Sequence, residues 1–548
     1  MCINSDQPAA VSPDQSFAMQ TAVKKTSGEH HDDVVHEEAR MTSLVPCFAL
    51  ADSYKAGHFL MYPECEKMVA YGEFREPMKG MMTNGMQDNR FVFYGMRHYV
   101  DNYIAKKWTR GDLLMAELFF STHNSRSTQY PFPRDLFESF IDDNDGYFPV
   151  TIHALPEGTV AYTRTPVFMI TAEDKYARLC TYLETILTMV WYPSCVATIS
   201  KYSKELITEG FEKSVDQEMH VLLDSRLHDF GFRGCTSVEQ AIIGGSAHLL
   251  SFGGSDNMAA CYHTQYNLNK AVPVSTSIPA TEHSVMTAWS DEKEAIEKQI
   301  ENFGDGVFSV VMDSYDYDNA LDNILPSVAD SVRKKGGFLV IRPDSGDPVE
   351  QVVKGLKAAE KCFPTVVNSK GYKVIQGAAV LQGDGINYEN IREIQENVMQ
   401  NGFSAECVAY GMGGSLLQKV NRDTMSFATK LCYIKECEGK TRDVMKTPKS
   451  GKGKTSLPGE LFVAREGPAE PIKVFDKSEK QTAKLVSAMK IVYDNGPIAG
   501  AFEDFQTVRE RVNSEWAQTA PGGNPISKGL ADKIEKILLA RGHQKPSP

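Results

Sequence analysis

The 548-residue chain has no CxxC pair and no Cys/His cluster at zinc-ligand spacing, although its 11 cysteines are scattered from Cys2 to Cys437. A zinc finger or ribbon is thereby excluded, and the pattern reads as reduced thiols in a cytoplasmic protein. Long apolar runs are also missing. The most apolar stretch, 181–200, is interrupted by Glu184 and Pro193 and is too broken to span a bilayer. The opening residues, MCINSDQPAAV, contain no basic segment leading into an apolar core, so no secretory signal is expected. Positive charge is in deficit: the formal net charge is -13. Such a balance argues against non-specific binding to nucleic acid or to anionic membranes, since both need a basic surface. An anionic substrate is still accommodated where basic side chains cluster, because salt screens exposed charge beyond roughly 8 Å.

A mass of 60.8 kDa suffices for more than one domain. Residues 1–44, which include His30 and His31, are polar without apolar periodicity and read as a disordered tail. Strand-like runs at 69–73, 90–94 and within 152–170, separated by turn residues, predict an antiparallel layer. Helical spacing follows over 179–191 and 195–211. The pattern then changes. Strand-like runs at 307–312, 338–341, 378–382 and 407–410 recur at spacings of roughly thirty residues with helical sequence between them, which is βαβ spacing. Parallel strands follow, in a (β/α) barrel or an incomplete one. After 422 come further β-like segments, a Gly/Lys-rich loop at 446–454 and a terminal helix over 531–539. The expected organisation is an α/β chain. A barrel-like domain (191–424) is inserted in a mainly antiparallel α+β domain made from both ends (45–190 plus 425–540), with polar tails at 1–44 and 541–548.

Each predicted parallel strand ends in polar or glycine-rich sequence, and in a barrel these ends share the face where active sites are built. In FLVIRPDSGDP (338–348), Arg342 suits bidentate recognition of phosphate, while Asp344 suits sugar hydroxyls or a hydrated magnesium ion. The alternative is a surface turn with an incidental ion pair. In GMGGS (411–415), Gly413 and Gly414 allow close approach of an anion to the backbone at a helix start, with Arg422 beyond. Asp384 sits in the GDG turn beside Gly383, placed either to meet ribose hydroxyls or simply to make the turn. In LHDFGFRG (227–234), Phe230 can stack on a flat heterocycle and Arg233 can bind phosphate. In PATEHS (279–284), Glu282 precedes His283, which is either a structural histidine or an acid–base or nucleophilic one. No lysine falls at a predicted strand end, which disfavours Schiff-base aldolase chemistry.

DSYK (52–55), LHDFGFRG, PATEHS, DSYD (313–316), IRPDSG (341–346), QGDG (382–385) and GMGGSLLQK (411–419) occur in one order over roughly residues 45–535. Together they closely resemble the nicotinamide phosphoribosyltransferase family. The resemblance implies a type II phosphoribosyltransferase fold and a homodimer with active sites at the subunit interface. It implies condensation of nicotinamide with phosphoribosyl pyrophosphate to nicotinamide mononucleotide in NAD salvage, with Mg2+ and with ATP as phosphoryl donor. The nicotinate reaction is the near alternative. Carried over, Phe230 and Tyr54 of the partner subunit sandwich the pyridine ring, with Asp256 and Ser309 near its amide. Arg342, Asp344, Gly383 and Asp384 hold the ribose, and Arg233, Gly413 and Gly414 the 5′-phosphate. Arg75, Arg422, Lys430 and Lys449 face pyrophosphate or ATP phosphates. His283 matches a histidine phosphorylated by ATP, with Glu282 beside it and Asp313 and Asp344 among the catalytic positions. No direct metal ligand is assigned.

Overall fold

The computed structural model describes residues 45–542 except 84–85, 126–127, 449–453 and 468–469. The tail at 1–44, Lys449 and residues 543–548 lie outside the described residues. No helix among those described is long and apolar enough to cross a membrane.

Five short strands form the parallel sheet: β1 (Leu227–Asp229), β2 (Val307–Val311), β3 (Phe338–Arg342), β4 (Ala378–Gln382) and β5 (Val408–Met412). Their order is β1-β5-β4-β3-β2, every pair parallel. Runs such as Phe-Leu-Val-Ile in β3 suit strands covered on both faces. Helices α1 (Trp191–Ser214), α2 (Val238–His248), α3 (Glu292–Phe303), α4 (Leu325–Lys335), α5 (Pro348–Cys362) and α6 (Tyr388–Gln400) complete the frame. Their limits follow from local chemistry. Asp291, Asp347 and Asn387 cap the starts of α3, α5 and α6, and Gly336, at φ 79°, ends α4 in the left-handed conformation.

The sheet closes on itself through two segments too irregular to count as strands. Residues 253–256 run beside β1, through the Asp229–Ser255 bridge and an Asp256 N–H to Asp229 O bond of 3.2 Å. Residues 274–281 pair with them at Gly254–Thr276 and with β2 at Ala280–Ser309. Thr281 adds a side-chain bond, its Oγ1 accepting from Val311 N–H at 2.9 Å. A complete barrel-like ring results. β1 falls outside the strand runs expected from sequence: Leu-His-Asp is too short and polar to signal a strand, and pairing with β5 makes it one.

The other layer is a six-stranded antiparallel sheet in the order Thr441–Asp443, Ala428–Glu436, Cys65–Glu73, Pro166–Glu173, Thr151–Ala154, Lys490–Asp494. Both ends of the chain thus contribute strands. The helix expected over 179–191 is reduced to Glu184–Thr188. The preceding residues are pinned to other elements instead: Tyr182 OH donates to Phe48 O at 2.8 Å and Cys180 Sγ to Ile170 O at 3.5 Å. α1 starts earlier than expected, because Pro193 falls in its first turn, where a missing N–H is tolerated. This buried helix joins the layers. Ser194 and Thr198 hydroxyls accept from Tyr94 and Val92 N–H at 3.0 Å each, and Ser200 Oγ lies 3.1 Å from His248 Nδ1.

His248 staples the ring at its seam. Its Nε2 lies 3.2 Å from both Leu227 O and Gly254 O, carbonyls of adjacent segments, so Nε2–H donates while Nδ1 accepts from Ser200. Burial lowers its pKa to about 4. Because that lies below the unfolded value of about 6.5, the unfolded chain binds the extra proton first as pH falls. The stability is therefore complete above about 6.5 and declines by about 3 kcal/mol toward pH 4. His248→Gln should flatten that part of a urea-denaturation series run from pH 7 to 4.

Candidate active site

The ends of β2 and β3 meet around His283. Arg342 Nη2 donates to Asp344 Oδ1 at 2.8 Å, and Asp344 Oδ2 lies 3.4 Å from His283 Nε2. Asp313 Oδ2 accepts from Asp344 N–H at 2.9 Å and from Ser345 Oγ at 2.5 Å. Its other oxygen, 3.9 Å from His283 Nε2, is buried without a hydrogen-bond partner. Ser314 Oγ lies 3.1 Å from His283 Nδ1. Each ring nitrogen therefore faces an oxygen from a different loop. Glu282 takes no part in this network, as its carboxylate accepts from Ser284 Oγ.

The second half of the site is built around Phe230. Its backbone N–H donates to Met412 O at 3.0 Å, and its ring occupies space that only glycine leaves open. A Cβ on Gly411 would sit 2.1 Å from Phe230 Cε2, and one on Gly383 would be at 3.0 Å. The Arg342 guanidinium carbon lies 5.7 Å from the ring centroid, which joins the two halves. His228 approaches edge-on at 6.3 Å, and its Nδ1 is 3.0 Å from Asp256 Oδ2. Ser277 Oγ donates to Asp256 Oδ1 at 2.5 Å. Burial pushes the Asp256 pKa up, but the His228 and Ser277 hydrogen bonds, aided by Arg342, outweigh it and hold the carboxyl below its ordinary value. Behind it, burial raises Asp229 to about 6 while its carboxylate accepts from Gly231 N–H and Asn257 Nδ2. Asn257, not Asp256, caps the helix Met258–His263, so Asp256 has no capping duty.

The remaining expected residues fall in several places. Ser309 is buried in β2 and spends its hydroxyl proton on Val340 O at 3.1 Å. Asp384 is exposed in its turn, and Gln382 Nε2 donates to its carbonyl at 3.2 Å. Gly413 and Gly414 begin only a four-residue helix, Gly414–Leu417, so the turn's free N–H groups rather than a long helix dipole are available to an anion. The chain does not continue as helix to Arg422, which is exposed beside Asp423. Arg233 is exposed without an acidic partner among the described residues. Arg75 Nε donates to Ser426 O at 2.9 Å, and Lys430, opposite Tyr71 in the antiparallel sheet, has its pKa lowered by burial. Tyr54 is 52% exposed on the short helix Tyr54–His58. Among the described residues, no hydrogen bond or ion pair links Tyr54, Arg75, Arg422 or Lys430 to the His283 network.

Sequence reading missed Ser314, Ser345, His228 and Ser277. Ser314, Ser345 and His228 lie one or two residues from a residue that it did identify, and a polar neighbour at a strand end is the signal that could have found them; Ser277, five residues before Glu282, carries no such signal. No group of three or more His, Cys, Asp or Glu among the described residues is arranged to hold a metal ion by itself. Magnesium needs less, since one or two carboxylates plus substrate phosphates hold it. The unpartnered Asp313 Oδ1 beside Asp344 fits that demand.

Two family models match: the nicotinate phosphoribosyltransferase (NAPRTase) family over residues 225–497, and the N-terminal domain of nicotinamide phosphoribosyltransferase over 47–152. The nicotinamide phosphoribosyltransferase of Xanthomonas campestris pv. campestris is 35% identical over 454 residues, covering 81% of this chain and 93% of that protein. The chain belongs to the nicotinate and nicotinamide phosphoribosyltransferase family. The namesake enzyme of Acinetobacter baylyi is 29% identical, covering 82% of this chain and 93% of its own length. Human nicotinic acid phosphoribosyltransferase, at 16% identity, superposes with a TM-score of 0.55 over 89% of this chain and 99% of that one. Nicotinate-nucleotide pyrophosphorylase from Pyrococcus furiosus gives 0.55 at 15% identity, over 86% and 96%. These two likenesses establish the type II phosphoribosyltransferase fold.

Close approach of Phe230 to β5 makes Gly411 a sensitive position. Gly411→Ala should lower stability by about 1–3 kcal/mol through overpacking, read from urea titration. Phe230→Ala in the same chain should restore part of that loss by removing the clash.

Proposed function

We propose that this chain condenses nicotinamide with phosphoribosyl pyrophosphate, forming nicotinamide mononucleotide and pyrophosphate, in NAD salvage. The observation that carries the choice of nicotinamide is Asp256. Its carboxylate is held ionised by His228, whose ring lies edge-on to Phe230, and is spent on no helix cap. It can accept a hydrogen bond from the amide N–H, whereas nicotinate would bring a second negative charge.

Phe230 supports one face of the pyridine ring and Tyr54 of the partner subunit the other. The ring nitrogen already carries a lone pair, so no strong general base is required; it attacks the ribosyl carbon as the bond to pyrophosphate breaks. Arg342, Asp344, Gly383 and Asp384 hold the ribose, and Arg233 with the 413–414 turn holds the 5′-phosphate. Magnesium, when bound at Asp313 and Asp344, supplies charge neutralisation for the leaving pyrophosphate. Arg75, Arg422 and Lys430 do the same with fixed cations, and Lys449 belongs with them by sequence. His283 accepts the γ-phosphoryl group of ATP on a ring nitrogen, releasing ADP and coupling hydrolysis to substrate affinity.

A homodimer is the favoured assembly, because among the described residues neither Tyr54 nor Arg75, Arg422 or Lys430 hydrogen-bonds or ion-pairs with the His283 network of its own chain. An apolar surface adjoins Tyr54: Leu60 and Met61 are exposed, as are Leu114, Met115, Leu118 and Phe119 on the helix Arg110–Thr122. Patches of this kind mark association surfaces. The ten described cysteines, all free thiols, fit a cytoplasmic setting.

Incubation with phosphoribosyl pyrophosphate, magnesium and each pyridine separately should yield the nicotinamide nucleotide in preference. Two like charges about 4 Å apart cost about 1 kcal/mol in water and about 4 kcal/mol at an effective dielectric of 20. Asp256→Asn should therefore shift the ratio of kcat/KM values toward nicotinate by about fivefold or more, and an unchanged ratio in the folded variant would count against the amide. Tyr54→Ala and Phe230→Ala should each be poorly active alone. Mixing them under subunit exchange should recover activity, since one site of the mixed dimer regains both rings; no recovery after proven exchange would place both residues in one chain's site.

A further inference from the structure

Phe230 and Asp256, the two residues read as gripping the pyridine, are carried by separate segments. Phe230 follows Asp229, the last residue of β1, and Asp256 precedes Asn257, which caps the helix Met258–His263. Backbone pairing between these segments is sparse, amounting to the Asp229–Ser255 bridge and the Asp256 N–H to Asp229 O bond. Two side chains supply a further tie. One Asp229 oxygen accepts from Gly231 N–H at 2.7 Å, closing a turn over Phe230. The other accepts from Asn257 Nδ2 at 2.9 Å, and the same nitrogen donates to Ala241 O of α2 at 2.9 Å. Asn257 Oδ1 meanwhile accepts from Ala260 N–H at 3.2 Å, which is its capping bond.

Both side chains are buried, so losing either partner would leave a polar group without water to replace it. α2 leaves room for the pair through a glycine. A Cβ on Gly245 would stand 2.6 Å from Asn257 Nδ2 and 3.0 Å from Asp229 Oδ2. Capping alone asks only for a short oxygen acceptor, which serine supplies as well. The amide donor of Asn257 serves a different purpose. We infer that Asp229 and Asn257 are positioning residues for pyridine selection: their hydrogen bond ties the turn that carries Phe230 to the segment that carries Asp256, so that the aromatic ring and the amide acceptor are presented together. The inference rests on the reading of Asp256 as the acceptor for the nicotinamide N–H. Asp229 and Asn257 act through their neighbours rather than on the substrate.

The test compares kcat/KM for nicotinamide and for nicotinate in the full chain with phosphoribosyl pyrophosphate and magnesium. Asn257→Ser keeps an acceptor for Ala260 N–H but is too short to reach Asp229. It should shift the ratio toward nicotinate by about threefold, the scale of one hydrogen bond. Asp229→Asn is nearly isosteric, yet its amide offers one oxygen where two donors converge from different sides, so one bond is lost in either orientation. A shift of about threefold in the same direction is expected from it. A residue that merely holds the fold would depress both pyridines alike. A parental ratio in either variant, once folded, therefore overturns the inference, and failure of one to fold leaves the other decisive. Adding Asn257→Ser to Asp256→Asn should leave the ratio where Asp256→Asn alone puts it, because the acceptor being positioned is already gone; a further full shift would show the pair acting apart from Asp256 and overturn the inference. A parental ratio in Asp256→Asn removes the amide reading and this inference with it, whereas a shifted ratio there with unshifted Asn257→Ser and Asp229→Asn removes the inference alone.

Discussion

Parallel pairing is the constraint on which the site depends. In a parallel ladder every strand must run the same way, so each chain segment reaches the same face before it turns into its helix. Five strands and two irregular segments therefore deliver Asp229-Phe230, Asp256, Ser277, Asp313-Ser314, Arg342–Asp344 and Gly383 to one rim of the ring. The residues have little in common in sequence position, being up to about 150 residues apart. What they share is a place just past a strand end. Small deviations in pairing then shape the site: where 253–256 touches its neighbours by isolated bridges rather than a full ladder, Asp256 is left free to turn inward.

Electrostatics divides this rim in two. Around His283 the neighbours are carboxylates, Asp313 and Asp344, with Arg342 paired to Asp344. Beside Phe230 the donor His228, with Ser277, converges on the Asp256 carboxylate, which keeps it charged. Arg342 belongs to both regions, as ion-pair partner on one side and cation beside the aromatic ring on the other. Loss of its charge would disturb both halves of the rim.

Much of this was legible because parallel strands leave a strong local signature. The runs at 307–312, 338–341, 378–382 and 407–410 appear within two residues of their observed limits, and the polar residues after them are the ones at the rim. The closure of the ring was not legible, since 253–256 and 274–281 carry glycine, serine and threonine and pair through single bridges that leave no periodicity. Leu227–Asp229 was hidden likewise, being three residues long. Short-range reasoning also overextended the helix after Gly413, where Asn421 and Arg422 belong to a turn. The placement of Tyr54 and the distant cations depends on an association that resemblance suggests and one chain's periodicity does not encode.

The antiparallel sheet has a consequence for synthesis on the ribosome. Its inner strand Cys65–Glu73 pairs on one side with Ala428–Glu436, and Cys432 Sγ reaches Val69 O across 363 residues of sequence. At translation rates of about 5–20 residues per second, that partner arrives roughly 20–70 s after the strand itself emerges. Throughout that interval Val69, Ala70 and Tyr71, all fully buried in the finished protein, have one open edge. β2, β3 and β4 can pair during the wait, whereas β5, which joins β1 to β4, ends only about 16 residues before Ala428. The nascent chain therefore holds a partly paired ring tethered to an uncapped sheet, and that sheet is the part most in need of chaperone cover.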